Sequence, residues 1–230
     1  MLAVDMHSHL IPGVDDGAQD MEDAITGIQK IYDLGFDKVI TTPHIMPGYY
    51  NNTADILRRA YEEVCLELSK RKLDVEFAVA AEYYCDEDFH KTVQHQEMLT
   101  MGDNYLLFEL PFFNQPGNFN EAVFAMQSKG YRPILAHIER YGFFLEKEIE
   151  DFAEMRENGL FIQVNIGSFS GAYGPAVKAM AENLAKEKQI DFLGTDYHHA
   201  KHVQMISTAL QNPLLQTLLE SADLKNKNLL

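Results

Sequence analysis

Basic residues are scarce in this 230-residue chain: Lys and Arg number 19 against 35 Asp and Glu, a formal net charge of −16. Nucleic-acid binders and proteins that adhere to anionic membranes need clustered positive charge, so neither kind of partner is expected. A phosphorylated substrate stays open, because bound divalent cations reverse the local field. Cysteine is nearly absent. Cys65 and Cys85 are too few for a disulfide framework or a cysteine-rich zinc site, and free thiols suit a reducing compartment. Long apolar runs are missing, with none near the ~18 residues of a membrane span. The N-terminus lacks the basic segment and apolar stretch of a secretory signal. A cytoplasmic protein without membrane insertion is expected. No internal repeat or low-complexity tract is visible.

What the chain does have is a regular alternation of short apolar runs and helix-period segments. Strands are expected over residues 2–6, 38–42, 75–80, 105–109, 133–136, 161–165 and 192–195. Amphipathic helices are expected over 20–34, 52–71, 118–129, 147–158 and 175–188, with a weaker one over 87–94. Gly35, Gly130 and Gly159 follow three of these helices, where a left-handed cap is wanted. Strand-then-helix order implies parallel strands joined by right-handed crossovers. Seven such strands point to an α/β barrel short of eight strands, with an open doubly wound sheet as the alternative. A chain of this length forms one substantial core. No composition break divides residues 1–230, which are expected to form one domain. Residues from about 211 to 230 read as a last helix and a frayed polar tail, Lys225-Asn226-Lys227-Asn228.

Histidines and acids recur where those strands end. His7 and His9 follow the first strand, His44 the second and Glu82 the third. Glu109 ends the fourth and His137 the fifth; Asp196 and His198 follow the seventh. In a parallel barrel all these ends meet on one face, where the active sites of such folds are built. In extended chain, positions i and i+2 point the same way, so His7 and His9 share a face, as do Asp196 and His198. Asp5 lies on the same alternation and is expected to orient a histidine through its second nitrogen. Asp15-Asp16-Gly17 supplies a further carboxylate. A lone histidine near a strand end is usually structural; eight such residues at strand ends are hard to explain that way. Their mixture suits Mn, Fe, Zn or Mg, and they are too many for one ion.

Other features are weaker. Cys65 and Arg71 have the Cys-x5-Arg spacing of cysteine-dependent phosphatases, but the intervening Leu-Glu-Leu-Ser-Lys continues a helix whose amides are already bonded. Cys65 is therefore expected to be a buried apolar residue and Cys85 a bystander. His90 and His95 read as exposed. His199 and His202 lie past the last motif, His202 at a solvated helix start or within reach of substrate. The pairs Tyr49-Tyr50, Tyr83-Tyr84 and Phe112-Phe113 follow strand ends, as loop packing or as the walls of a mouth for an aromatic substrate.

Asp5-Met6-His7-Ser8-His9-Leu10-Ile11-Pro12-Gly13-Val14-Asp15-Asp16-Gly17 is followed in order by Thr42-Pro43-His44, Ala81-Glu82-Tyr83-Tyr84, Phe108-Glu109, Ala136-His137-Ile138-Glu139-Arg140-Tyr141 and Thr195-Asp196-Tyr197-His198. Over residues 3–215 this pattern resembles the polymerase-and-histidinol-phosphatase (PHP) superfamily. Within it, the pattern is most similar to the bacterial capsular-polysaccharide protein-tyrosine phosphatases. The resemblance implies a distorted (β/α)7 TIM-like barrel and three divalent metal ions, often manganese. The implied ligands are His7, His9, Asp16, His44, Glu82, Glu109, His137, Asp196 and His198, with Glu82 bridging and Arg140 on the phosphate. His44 or His198 is implied as proton donor to the leaving group. The implied substrate is a phosphotyrosine protein, a tyrosine autokinase of capsular or exopolysaccharide synthesis; an oligomer is compatible. The chain departs from the pattern after His44 and after His198, where some members carry arginines. Lys201 and His202 are the replacements on offer, and lysine lacks the guanidinium fork. Two alternatives stand beside this reading: a small-molecule phosphatase such as histidinol phosphatase, acting on a small phosphate monoester, and a non-catalytic metal-binding module.

Overall fold

Parallel pairing builds the molecule from its first strand onward. The structure, a computed structural model, describes residues 3–221 and 223–229; the first residue of the expected opening strand, Leu2, and the end of the tail, Leu230, lie outside them. The strands are β1 (Val4–Asp5), β2 (Lys38–Thr41), β3 (His44–Ile45), β4 (Glu76–Val79), β5 (Glu82–Tyr84), β6 (Tyr105–Glu109), β7 (Arg132–Leu135), β8 (Phe161–Asn165) and β9 (Phe192–Gly194). Two of the seven expected strands, 38–42 and 75–80, are thus each followed by a further short strand that was not expected, β3 and β5. Proline has no N–H for the ladder, and β2 gives way to β3 at Thr42-Pro43. β4 gives way to β5 at Ala80-Ala81. The Ala80 N–H to Thr41 O bond (2.9 Å) and the Glu82 N–H to Pro43 O bond (3.1 Å) carry the pairing across both breaks.

All neighbours are parallel, β1-β2-β4 in one sheet and β3-β5-β6-β7-β8-β9 in the other. A parallel bridge between Ser8 and Tyr197 then joins the chain beyond β1 to the chain beyond β9. His9 N–H donates to Tyr197 O and Asp196 N–H to His7 O, both at 2.8 Å. One layer below, the Asp5 carboxylate accepts from Thr195 N–H (2.8 Å) and from its hydroxyl (2.7 Å). These contacts close the ring and exclude the open sheet.

The helices are α1 (Met21–Asp33), α2 (Ala54–Arg71), α3 (Phe89–His95), α4 (Phe119–Ser128), α5 (Ile149–Glu157), α6 (Pro175–Lys186), α7 (Lys201–Ala209) and α8 (Pro213–Glu220). None of them is long and apolar enough to cross a membrane. Their ends follow local chemistry. Asp20, Thr53 and Asn212 cap α1, α2 and α8, with side-chain oxygens accepting from Asp23, Ile56 and Leu214 N–H. Pro175 and Pro213 open α6 and α8, where a missing N–H costs nothing. Gly35, Gly130 and Gly159 take positive φ after α1, α4 and α5. α1 buries Ala24, Ile25, Ile28 and Ile31, one stripe of the helix period, against the barrel wall. α2 runs without interruption through Cys65 and Arg71, and Arg71 is engaged by Glu22 (2.8 Å) and Glu67 (2.9 Å). No phosphate loop exists there.

One apolar cluster lies between the sheet and the helices. A second, including Met6, Ile40, Leu107, Ile134 and Phe192, fills the barrel below the strand ends. The polar tail is not frayed. Lys225–Leu229 forms a 3-10 turn that plugs the barrel floor, with Asn226 only 1% exposed and Leu229 packed into the inner cluster. The Asn226 amide donates to Val4 O (3.1 Å) and Leu193 O (2.7 Å) and accepts from Leu193 N–H (3.0 Å). Backbone groups of β1 and β9 otherwise left open draw the polar segment inward.

Candidate metal centre

His7 and His9 form the floor of the site, both fully buried. The Ser8–Tyr197 bridge keeps this stretch extended, so the two rings project to the same side, with their Nε2 atoms 3.4 Å apart. Glu82 stands at the centre. Its Oε2 lies 3.2 Å from His7 Nε2, 3.4 Å from His9 Nε2 and 3.3 Å from His44 Nδ1; its Oε1 lies 3.0 Å from His137 Nε2. Glu109 Oε1 approaches His44 Nδ1 at 3.3 Å. Asp196 Oδ1 is 3.6 Å from both His7 Nε2 and His9 Nε2. On the solvent side, Asp16 Oδ1 lies 3.5 Å from His44 Nε2 and 3.5 Å from His198 Nε2. All nine residues singled out from strand ends and resemblance therefore converge. Seven of them overlap in three donor groups: His9, Asp16, His44 and His198; His7, His9 and Glu82; His44, Glu82 and Glu109. Two of the nine, His137 (φ +35°) and Asp196 (φ +50°), adopt a left-handed backbone that such residues rarely take, a strain typical of functional positions.

The electrostatics are those of a site short of positive charge. Burial opposes charging His7, yet the Glu82 and Asp196 carboxylates outweigh it and push the imidazole up to about 9. Burial likewise opposes His44, which Glu82 and Glu109 raise to about 10, and His198, which Asp196 and Asp16 raise to about 8. Glu82 is buried, but His7 and His44 hold it well below the usual carboxylate range; Asp196 is lowered in the same way by His7, His198 and Arg140. Protons on imidazoles thus balance the buried acids, and metal ions compete for the same positions. Buried Glu82 Oε2 and His44 Nδ1 have no hydrogen-bond partner, as expected of atoms reserved for a cation. The mixed imidazole–carboxylate set fits Mn, Fe or Zn.

Supporting contacts orient the rings. His9 Nδ1 meets Asp15 Oδ2 at 2.8 Å, and Asp15 also accepts from His44 N–H and Gly17 N–H (both 3.0 Å). His198 Nδ1 bonds Asp196 O at 3.0 Å. Asp5 does not orient a histidine ring as expected; Thr195 engages its carboxylate, and His7 Nδ1 faces Gln163 Oε1 at 3.2 Å instead. Gly17 is required because a Cβ there would lie 2.2 Å from His9 O.

Above the floor is a cavity of about 300 Å³. Arg140 reaches it from the 3-10 turn after β7, its Nη1 donating to Asp196 Oδ2 (2.9 Å) and its guanidinium lying over Phe112 (5.1 Å) and Tyr173 (4.6 Å). The aromatic pairs divide. Phe112 lines the cavity and stacks on His137 (5.7 Å), while Tyr50 stacks on His44 (5.5 Å). Tyr83 is buried, its hydroxyl accepting from Leu99 N–H, and is a packing residue. His202, at the start of α7, is half-buried and lines the cavity, its Nδ1 lying 3.0 Å from Asp196 O and 3.2 Å from His198 N. Lys201 and His199 are exposed, as is His95, while His90 is half-buried. Cys65 is half-buried on α2, and burial pushes the Cys85 thiol up to about 12. Sequence reasoning missed Asp15 as an orienting group, and missed Gln163, Asn165 and Tyr173 altogether. Gln163 and Asn165 carried a signal, two amides on one face of an otherwise apolar strand.

Known proteins share this architecture. Tyrosine-protein phosphatase YwqE of Bacillus subtilis is 28% identical over 238 residues, covering 98% of this chain and 92% of its own length. Tyrosine-protein phosphatase CpsB of Streptococcus agalactiae is 25% identical, over 85% of this chain and 83% of its own. A crystal structure from work on YwqE and the CpsB of Streptococcus pneumoniae, described as unique metal-dependent tyrosine phosphatases, superposes with a TM-score of 0.83 at 28% identity, covering 99% of this chain and 95% of the other. A histidinol phosphate phosphatase from Lactococcus lactis shares the fold alone, with a TM-score of 0.57 at 12% identity and 94% of each chain covered. Residues 3–210 match the family described as "Capsular polysaccharide synthesis, CpsB/CapC", and the chain belongs to that family.

Proposed function

We propose that this protein is a metal-dependent phosphate-monoester hydrolase acting on phosphotyrosine in proteins. The observation that carries the reading is Glu82: a buried carboxylate ringed by four imidazoles, with an oxygen lacking any hydrogen-bond partner, beneath a mouth that holds an arginine. His7, His9, Asp16, His44, Glu82, Glu109, His137, Asp196 and His198 would hold the cations. Seven of them form three overlapping groups, with His137 and Asp196 alongside, and these fit three ions, manganese first among Mn, Fe, Zn and Mg. Bound there, divalent cations draw charge from phosphate oxygens and lower the pKa of water toward neutrality.

The chain's own residues do the rest. Arg140 has five N–H donors and uses one on Asp196, which leaves charge-assisted bonds for the equatorial phosphate oxygens. Donors aimed at those oxygens stabilise charge that grows in the transition state. Phe112 and Tyr173 line the cavity and suit the phenyl ring of phosphotyrosine. His44 and His198 edge the cavity, and whichever of the two is not committed to a cation is the candidate to protonate the departing phenolate. Neither thiol lines the cavity, so no cysteine intermediate is involved. Every candidate ligand comes from one chain, so an oligomer is compatible and not required.

The relatives' names support a phosphotyrosine protein as substrate and the family description a place in capsular polysaccharide synthesis; within that setting the proposed substrate is a tyrosine autokinase of capsular or exopolysaccharide synthesis. Two unpaired thiols suit a cytoplasmic setting. The test is metal analysis of the purified protein, with hydrolysis of a phosphotyrosine peptide, p-nitrophenyl phosphate and histidinol phosphate measured with and without chelator. Chelator-sensitive turnover with the highest kcat/KM on the peptide supports the reading. Preference for histidinol phosphate makes it a small-molecule phosphatase; a metal-loaded protein inert on all three makes it a binding module.

A further inference from the structure

β8 supplies none of the nine candidate ligands, yet its two inward amides touch ligands that follow three other strands, β1, β7 and β9. Gln163 and Asn165 are both fully buried. The direction of each bond can be worked out from one fixed point. His137 N–H can only donate, and it meets Gln163 Oε1 at 2.8 Å. That places the oxygen of Gln163, not its nitrogen, on this side. His7 Nδ1 faces the same oxygen at 3.2 Å, so this nitrogen carries a proton and donates. When the ring is neutral its lone pair is then on Nε2, the atom beside Glu82 and Asp196. At its other end, the Gln163 amide nitrogen donates to Asn165 Oδ1 at 2.9 Å. The Asn165 nitrogen is therefore the group facing Asp196 Oδ2, to which it donates at 2.7 Å. With Arg140 also on Oδ2, Oδ1 is the Asp196 oxygen turned toward the floor histidines.

The pair is held firmly. Glu139 Oε1 accepts from Asn165 N–H at 3.0 Å and from the Ser168 hydroxyl. On β9, Gly194 makes the close packing possible, since a Cβ there would lie 2.6 Å from His7 Cβ and 3.2 Å from Gln163 Nε2.

We infer that Gln163 and Asn165 are positioning residues of the metal centre, a one-way hydrogen-bond relay that selects the ligating nitrogen of His7 and the ligating oxygen of Asp196 together. The inference rests on the proposed metal-dependent function and adds residues to it. The relay reaches His7, His137 and Asp196 and does not touch Asp16 or His44, so its loss acts on part of the centre. Groups that orient metal ligands in this way typically change metal affinity by about 10–100-fold.

The experiment is calorimetric titration of chelator-stripped protein with Zn²⁺ and with Mn²⁺, using a competing chelator. The proteins are the wild type, Gln163→Met, Gln163→Glu, Asn165→Ala and Asp16→Asn, the last marking the step that belongs to the outer group. Melting of each metal-free protein and the ¹⁵N signals of histidine rings in the zinc-loaded forms are recorded alongside. Gln163→Met and Asn165→Ala are expected to weaken one binding step about 10–100-fold, leaving the Asp16-dependent step in place. Gln163→Glu keeps an acceptor for His137 N–H and His7 Nδ1 but has no donor for Asn165 Oδ1, so it should retain the His7 tautomer while still weakening the step that depends on Asp196. The zinc-loaded wild type should show His7 metallated at Nε2 and protonated at Nδ1, and the methionine variant should lose that signature. Uniform weakening of every step with a matching fall in melting temperature overturns the inference and leaves a merely structural role. So does an unchanged step, or a glutamate variant that loses the His7 signature. If one variant does not fold, the other carries the test through the same step. Failure of the wild type to take up either metal refutes the proposed function itself, which separates the two failures.

Discussion

Asn226→Ala removes a plug from the floor of the barrel without touching the cavity at its other end. The side chain is 1% exposed and makes three hydrogen bonds, to Val4 O, Leu193 O and Leu193 N–H. A buried backbone group stranded without a partner costs about 1–3 kcal/mol, and a water entering the vacated space offsets part of that, so about 3 kcal/mol in total is expected. For a chain of this size each kcal/mol moves Tm by about 2–4 °C, giving a fall of about 6–12 °C. Calorimetry and urea unfolding monitored by two probes measure the loss and test whether the transition stays two-state. Phosphatase activity well below Tm should match the wild type, because the substitution reaches no candidate ligand. A loss under about 1 kcal/mol would show that the tail only rests on the barrel, as a surface substitution would. Lost activity at unchanged Tm would refute the separation of floor from site.

Other outcomes follow from the same geometry. Chelation should abolish hydrolysis and added Mn²⁺ restore it. Iodoacetamide at pH 8 should leave it intact, since the buried Cys85 thiol, pushed up to about 12, stays protonated and mass spectrometry should find only Cys65 labelled. Arg140→Ala should lower kcat by about 10²–10³-fold, as for loss of a transition-state donor. Its metal content should stay nearly unchanged, because Asn165 still holds Asp196; a matching loss of metal would make Arg140 structural. Finally, His7, His44 and His198 sit at about 9, 10 and 8 in the metal-free protein, above the ordinary value of 6.5. Their contribution to metal-free stability is complete below about pH 6.5 and is lost as pH rises through about 8 to 10. Metal-free Tm should therefore fall between pH 7 and 9.5, while metal affinity rises because fewer protons compete. A metal-free Tm that climbs over that range would contradict the assigned charges.

The primary structure determined the periodicities and the punctuation. β6 and β8 match the expected strands at both ends, since apolar runs bounded by turn residues depend only on near neighbours. α1 and α2 start where Asp20 and Thr53 cap them, and α1, α4 and α5 stop before glycines of positive φ. The candidate ligands were legible because parallel strands put every strand end on one face, whatever the separation in sequence. Local pattern could not say which atom faces which. Asp5 and Gln163 both alternate into the barrel, and only the closure of β1 against β9 gave Asp5 to Thr195 and left the His7 ring to Gln163. The tail reads as polar and free, yet the open backbone groups of β1 and β9 draw Asn226 inside. His202 read as a solvated helix start or as a group within reach of substrate, and the turn after β9 set its ring toward the cavity, against Asp196 O and His198 N. Helix and strand periods are written in residues a few positions apart; a buried polar atom's partner is chosen by long-range packing, and that choice exists only once the barrel has closed.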